Sequence, residues 1–471
     1  AVLLMVTLHL LAGSLPEQAA WSVWPFAAVP RWLAWPAAWL VLSLALHPVN
    51  DRVRAGLARL WEALPGKAQR RRWYAACALA AIIPFWLLRI QHLEWGDAKF
   101  IVQALSYTGA DRPLWTVYNW QSPLTILAHA QLWFLLHPLI GVGVDTLYAW
   151  TSVLSGVGFV YTLFLLADTL GRDRLERVFI FGLVATTGSM QLFFGYIENY
   201  TIMSLGLMVT LYLGVRCLQG RVGLVWPALA LALTNAFHPS SLVLWPAMIY
   251  LTGQLAHRRC AFGARGQVLI WSQLILPPLI VFAGLAALMS AAGHGPAALL
   301  TDDRPGGADG VMLVPLFETS TPWQRYTMFS LAHVQDWANE HFLISPFGLF
   351  LLLAGSMLGS RRQPADTPLP GATTAATPAK NIGLFLLIAS LSYLLLTFVW
   401  NPDYGGRQDW DLFAPSAFVY TLLAAYWFGR RLTERYPAAQ ARLMLARTAL
   451  LLLAAATLHS GAWIYSNTSP R

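Results

Sequence analysis

The sequence predicts an all-α polytopic membrane bundle of about 12–14 apolar helices. Three observations carry that prediction. Of the 471 residues, 57% are hydrophobic and only 11% are charged, with a mean hydropathy of +0.53, whereas a soluble domain carries about 25% charge. The apolar residues gather in runs of helix length rather than in the short alternating strands of a barrel. The basic residues lie in short loops between those runs, so the net charge of +9 reads as the positive-inside pattern and not as a nucleic-acid surface.

In chain order the apolar runs fall at 1–15, 32–47, 73–90, 121–140, 147–168, 178–195, 200–218, 223–237, 239–256, 268–290, 343–359, 381–400, 411–428 and 446–465. Each approaches the length that crosses about 30 Å of hydrocarbon. The chain opens on Ala1, so an initiator is missing or trimmed; no cleavable signal peptide is evident, and the first run would serve as an anchor. Loop 48–72 carries Arg52, Arg54, Arg59, Lys67, Arg70, Arg71 and Arg72. It is expected on the cytoplasmic side, together with 171–177, 216–221, 257–266, 360–380 and 429–447. Strict alternation fails once, because three runs separate two loops that should both face outward. The economical repair is that 121–140, which contains His129, Gln131, His137 and Pro138, re-enters or lies on the surface without crossing. The alternative is that another run between 121 and 195 does not cross. Segment 361–379, rich in Pro, Ala and Thr, is expected to be a flexible linker. Cys77, Cys217 and Cys260 have no metal or redox spacing.

With that arrangement most of the 22 acidic residues face outward, and the outward side carries four polar clusters. The first is loop 91–120, with Glu94, Asp97, Lys99, Asp111 and Arg112 among Tyr107, Trp115, Tyr118 and Trp120; its helix-like pieces are expected to lie in the interface as amphipathic elements. The second is the short turn Gly195-Tyr196-Ile197-Glu198-Asn199-Tyr200, and the third is Asn235 to Ser241, with His238 before Pro239. The fourth runs from Asn401 to Asp411 and holds Arg407 and Asp409-Trp410-Asp411. The longest outer loop, 291–342, begins with His294, Asp302, Asp303, Arg304, Gly306, Gly307 and Asp309 and is expected to be flexible there and helical from Trp323 to His341.

Ionisable groups at a membrane boundary are costly unless solvated, paired or used. Asp97 is the leading candidate for a general base, since Gly96 before it permits a tight exit from a helix and Lys99 nearby offers a charge for an anion. Glu94 and Glu198 are further acidic candidates; against function stand a solvated loop carboxylate and a helix cap. Arg407 suits bidentate recognition of phosphate, and His238 could bind a phosphate or donate a proton. Asp409 and Asp411 form an Asp-x-Asp pair that could hold a divalent cation, Mg or Mn, beside a phosphate; the plainer reading pairs Asp409 with Arg407 and makes Asp411 a cap. Tyr196, Tyr200 and Trp410 are candidate lining residues. His129 and His137 share one helical face, where a structural role is the plainer reading and a lining role the sharper one. There is no nucleotide-binding loop, no His/Glu metal spacing and no Gly-x-Ser-x-Gly elbow.

An acidic residue just after an early membrane helix, a long outward first loop and a Gln121-Ser122-Pro123-Leu124 start to the next run together resemble the GT-C superfamily of integral-membrane glycosyltransferases. That superfamily includes the protein O-mannosyltransferases and the lipid A aminoarabinose transferases. The resemblance covers 73–260. It implies a sugar donor carried on a polyprenyl phosphate, an essential acid at Asp97 and a second acid at Glu198. It also implies a glycan, lipid or protein acceptor, inversion at the anomeric carbon, and an outward-facing site in a bacterial inner membrane. The Pro-Pro-Leu-type motif is weakened here to Ser-Pro-Leu, and the subfamily stays open. On this reading the chain divides into a helix pair with its basic loop (1–72), a catalytic membrane module (73–360), a linker (361–380) and C-terminal helices (381–471). Two other classes compete. A transporter or flippase of lipid-linked sugars predicts charges in mid-span and paired broken helices. A glycan ligase or polymerase would place the weight on 291–342, with His294 and Arg304.

Overall fold

A computed structural model describes residues 1–62, 66, 68–106, 119–258, 263–300, 311–358 and 373–468. Among them all regular structure is helical, apart from one isolated antiparallel bridge between Leu313 and Trp400. The expected features at Tyr107, Asp111, Arg112, Trp115, Tyr118, Cys260, Asp302 to Asp309 and the first part of the linker lie outside the described residues.

Helices α1 (Val2–Leu10) and α2 (Arg31–Ser43) are joined by a connector that carries Trp21 and Trp24; α3 (His47–Glu62) turns away from α2 by 97°. The run at 73–90 forms two helices, α4 (Arg70–Ala80) and α5 (Ile82–Leu87), with Pro84 removing a backbone donor at the break. Then come α6 (Ala98–Ser106), α7 (Pro123–Ile140), α8 (Val144–Leu170), α9 (Arg174–Ala185), α10 (Tyr200–Leu218), α11 (Val225–Phe237), α12 (Trp245–Arg258) and α13 (Gly263–Ala291). The chain ends with α14 (Leu331–Ile344), α15 (Gly348–Met357), α16 (Thr373–Val399), α17 (Trp410–Arg435) and α18 (Ala438–Thr468). Seven of the described helices are long and apolar enough to cross a membrane, or nine if the bent pairs α2/α3 and α14/α15 each count as one span. The protein is therefore an integral membrane protein. Within the segment expected as a linker, 361–380, α16 starts at Thr373. In the outer loop, α14 begins at Leu331, eight residues later than Trp323, because the Ser330 side chain caps it by accepting from His333 N.

Helix α17 is the axis of the bundle. Of its most apolar stretch, 89% is buried, against 17% for α13 and 22% for α7 at the periphery. Phe413, Ala417, Phe418, Val419 and Tyr420 are all enclosed, and α9, α14, α15, α16 and α18 pack around them.

The basic loops meet at one end. Arg70 pairs with Asp168 at 2.5 Å, Arg172 reaches Thr433 Oγ1 at 2.8 Å, Arg435 donates to Leu358 O and Arg258 to Leu218 O, and Arg447 grips Asp51 with two nitrogens. Asp173 caps α9 by accepting from Glu176 N, and Glu176 in turn binds Arg172. The opposite end holds the acidic clusters. Both ends of α7 lie there: Thr125 donates to Phe237 O, and only three residues separate Ile140 from α8, whose Tyr148 lines the same cavity as Gln121. Helix α7 is long and apolar enough to cross a membrane.

Candidate active site

At the acidic end, α6, α10, α17, the loops before them and the C-terminal end of α16 line a cavity of about 710 Å³. Its polar end is built on Gly96. That residue has φ +53°, donates its N–H to Gln408 O at 2.9 Å, and leaves no room for a side chain. A Cβ there would come within 2.6 Å of Glu198 Oε1 and 2.9 Å of Asp411 Oδ2. Glycine is thus required both by the left-handed backbone and by the carboxylates on either side. Asp97 follows, immediately before α6.

Asp97 accepts a hydrogen bond from the Tyr404 hydroxyl at 3.0 Å. Its backbone N–H donates to Glu198 Oε1, while Glu198 Oε2 accepts from Asn199 N at 2.9 Å. Burial raises the Asp97 carboxyl above the usual range, and the Tyr404 hydrogen bond opposes this. Glu198, 3% exposed, is pushed well up by burial and then by the neighbouring Asp411 and Asp97. Asp409 is likewise pushed well up by burial and by Asp411, although its Oδ2 accepts from Tyr404 N at 2.7 Å. Asp411 sits in the first turn of α17, where the helix dipole favours a carboxylate.

The expected site residues separate into three groups. Asp97, Glu198, Asp409, Asp411, Tyr200 and His238 all line the cavity. Burial pushes His238 down to about 3, so its ring is neutral. Its Nδ1 accepts from Ser240 N, which leaves Nε2–H as a donor. It therefore offers a hydrogen bond rather than the charge expected of it. Tyr196 and Trp410 lie beneath the cavity floor, packed on each other at 5.3 Å and 2% and 0% exposed. The remaining expected residues lie apart from the lining or differ in their partners. Glu94 and Lys99 are exposed and outside the lining, because Gly96 turns the chain between them. His129 is enclosed, stacked on Tyr148 at 3.7 Å and bonded through Nδ1 to Thr125 O, which is the structural role. Arg407 points away from Asp97 and forms an ion pair with Glu17. Asp409 and Asp411 are not a chelating pair as they stand, since Asp409 is turned to the Tyr404 amide. Among the described residues no group of three or more His, Cys, Asp and Glu side chains is arranged to hold a metal.

Sequence reasoning passed over Tyr404, although it stands in the quoted 401–411 stretch. It also passed over the apolar wall of the cavity: Phe100, Ile101, Ala104 and Leu105 on α6, facing Leu242, Val243, Leu396 and Trp400. The spacing of those α6 positions, one helical face, was the available signal. The site therefore joins a buried, acid-rich end to an apolar end. Among the described residues its lining has five carboxyl groups, counting Asp403, and no Lys or Arg.

No family model matches the sequence, and no curated protein matches it. Among solved structures, the chain is similar to the oligosaccharyltransferase of Archaeoglobus fulgidus in its apo form, with a TM-score of 0.50 and 13% identity over 85% of this chain and 56% of that one. It is also similar to ArnT from Cupriavidus metallidurans bound to undecaprenyl phosphate, with a TM-score of 0.47 and 10% identity over 86% and 76%. The chain spans little more than half the length of the oligosaccharyltransferase. The fold is like that of the oligosaccharyltransferase, a helical membrane bundle.

Proposed function

We propose that the protein is a glycosyltransferase that moves a sugar from a polyprenyl-phosphate donor to an acceptor hydroxyl or amine at the extracytoplasmic face of a membrane, with Asp97 as the base. The observation that carries this is the cavity's division. A lipid-linked sugar needs an apolar channel for its chain, which the α6 and α16 wall supplies, and a polar end for its headgroup, which lies at Asp97. A carboxyl raised by burial is a better base near neutral pH than an ordinary one. Tyr404 steadies its charged form, and Glu198 fixes its backbone. The acceptor would lose its proton to Asp97 as it attacks the anomeric carbon, with inversion.

The donor phosphate needs a cation, and among the described residues the lining holds no Lys or Arg. Mg and Mn commonly bind through one or two carboxylates plus substrate phosphates. Glu198 and Asp411, with oxygens on either side of Gly96, are the residues that would hold such an ion. It would offset charge on the leaving phosphate. A bacterial inner membrane fits this chemistry, as do glycan, lipid or protein acceptors.

Transfer and donor hydrolysis by purified protein over a panel of polyprenyl-phosphate sugars, with and without EDTA, test the proposal. Asp97→Asn is expected to lower turnover at least about 100-fold while donor binding is kept. Donor binding without turnover by the wild type would replace the transferase with a lipid-sugar transporter. Unchanged turnover in the variant would remove Asp97 from the chemistry.

A further inference from the structure

A second cavity, of about 310 Å³, lies against the other face of the 402–409 loop and is lined by Trp21, Trp24, Trp463, Glu17 and Arg407. The two cavities share a wall. Gly96, Tyr404 and Asp409 face the first, and Arg407 faces the second with its guanidinium 6.0 Å from the Trp95 ring. Trp410 closes the wall from below, edge-on to Trp463 at 5.7 Å. We infer that this second cavity binds a neutral sugar residue of an acceptor glycan. The inference rests on the glycosyltransferase reading for the word acceptor alone.

Three features select that ligand. The tryptophans are turned inward: Trp21 and Trp463 are 5% and 4% exposed, whereas Trp32, Trp35 and Trp39 on nearby α2 are 76%, 47% and 64% exposed and form the lipid-facing belt. Indole faces enclosing a small cavity suit the apolar face of a sugar ring, and their N–H groups suit its hydroxyls. The ring N–H groups of Trp24 and Trp463 are enclosed and meet no acceptor among the described residues, while Trp21 donates to Asp336 Oδ1 at 2.9 Å. Enclosed donors of this kind call for a partner. The ion pair of Arg407 with Glu17 presents donors and acceptors side by side with no net charge, which suits vicinal hydroxyls and disfavours phosphate. At about 310 Å³ the cavity is at the small end of ligand pockets.

The test is a titration of the purified full-length protein, without donor, by maltose, cellobiose, chitobiose and lactose, read by tryptophan fluorescence. Saturable binding of at least one is expected, weakened at least about tenfold in Glu17→Gln and in Trp24→Ala and unchanged in Asp97→Asn. Glu17→Gln keeps shape and so keeps the test open if Trp24→Ala fails to fold. In the transfer assay Glu17→Gln is expected to raise KM for the acceptor. No saturable binding by any of the four overturns the inference, whatever the transfer assay gives. So does binding indifferent to both variants, or inorganic phosphate binding more tightly and being lost in Arg407→Gln. Sugar binding without any transfer activity would leave the cavity and sink the enzyme reading instead.

Discussion

Gly96 ties the site together, since it is the residue where three chain segments touch. Its N–H holds Gln408 O of the late loop, and any side chain there would run into Glu198 from the 196–200 turn and Asp411 from α17. Gly96→Ala would add the left-handed penalty of about 1–2 kcal/mol and force both carboxylates to move. The expected outcome is a lower melting temperature together with at least about tenfold lower turnover, because Glu198 would lose its hold on the Asp97 amide. Thermal unfolding and steady-state kinetics on the same preparation check it; a variant as stable and as active as the wild type would show that the carboxylates are not held in this arrangement. The choice of Asp97 and Glu198 from the sequence rested on rarity, as few acids stand at the mouth of a span. What rarity could not say is that the two are joined through a backbone amide and not through their side chains.

At the scale of the element, the 402–409 loop does most of the positioning. Pro402 and Gly405 close its turn, with Gly405 N bonded to Pro402 O and Gly405 at φ +83°. Arg407 projects from one face and Tyr404 from the other. The sequence showed a Pro/Gly turn rich in charge, and from that the phosphate role of Arg407 followed reasonably. The direction of each side chain was not legible, because it depends on a contact with Glu17, some four hundred positions earlier, which no local pattern carries. Tyr404 gives this loop a testable signature. Asp97 acts as a base only when ionised, so activity should rise with pH through its raised pKa. The Tyr404 hydrogen bond favours the ionised form, so removing it raises that pKa further. In Tyr404→Phe the acidic limb of the kcat/KM profile is therefore expected to move to higher pH, with activity at neutral pH lower by about an order of magnitude. A limb that stays in place, or moves to lower pH, would mean that a group other than Asp97 controls the reaction.

The whole molecule separates charge by face, and this was the most legible property of all. Basic loops far apart in sequence meet at one end through pairs such as Arg447 with Asp51 and Arg70 with Asp168, while the carboxylates of the cavity collect at the other. Loop charge reports membrane orientation directly because each Lys or Arg resists translocation by itself, without needing a tertiary partner. The crossing of individual helices is less legible, since an apolar run of 18 residues can span or lie along the surface. Helix α7 is the deciding case. If it does not cross, residues 94 and 141 share a face and 221 lies on the other; all three are exposed. In a background with Cys77, Cys217 and Cys260 replaced, Glu94→Cys and Gly141→Cys are expected to react with an impermeant maleimide applied to intact cells, and Arg221→Cys only after permeabilisation. Labelling of Gly141→Cys only after permeabilisation, with Glu94→Cys labelled at once, would make α7 a true span and require a different helix between 121 and 195 to stay on one side. Labelling of Arg221→Cys alone in intact cells would invert the molecule and put the acid-rich cavity on the cytoplasmic side, where a donor presented at the opposite face could not reach Asp97.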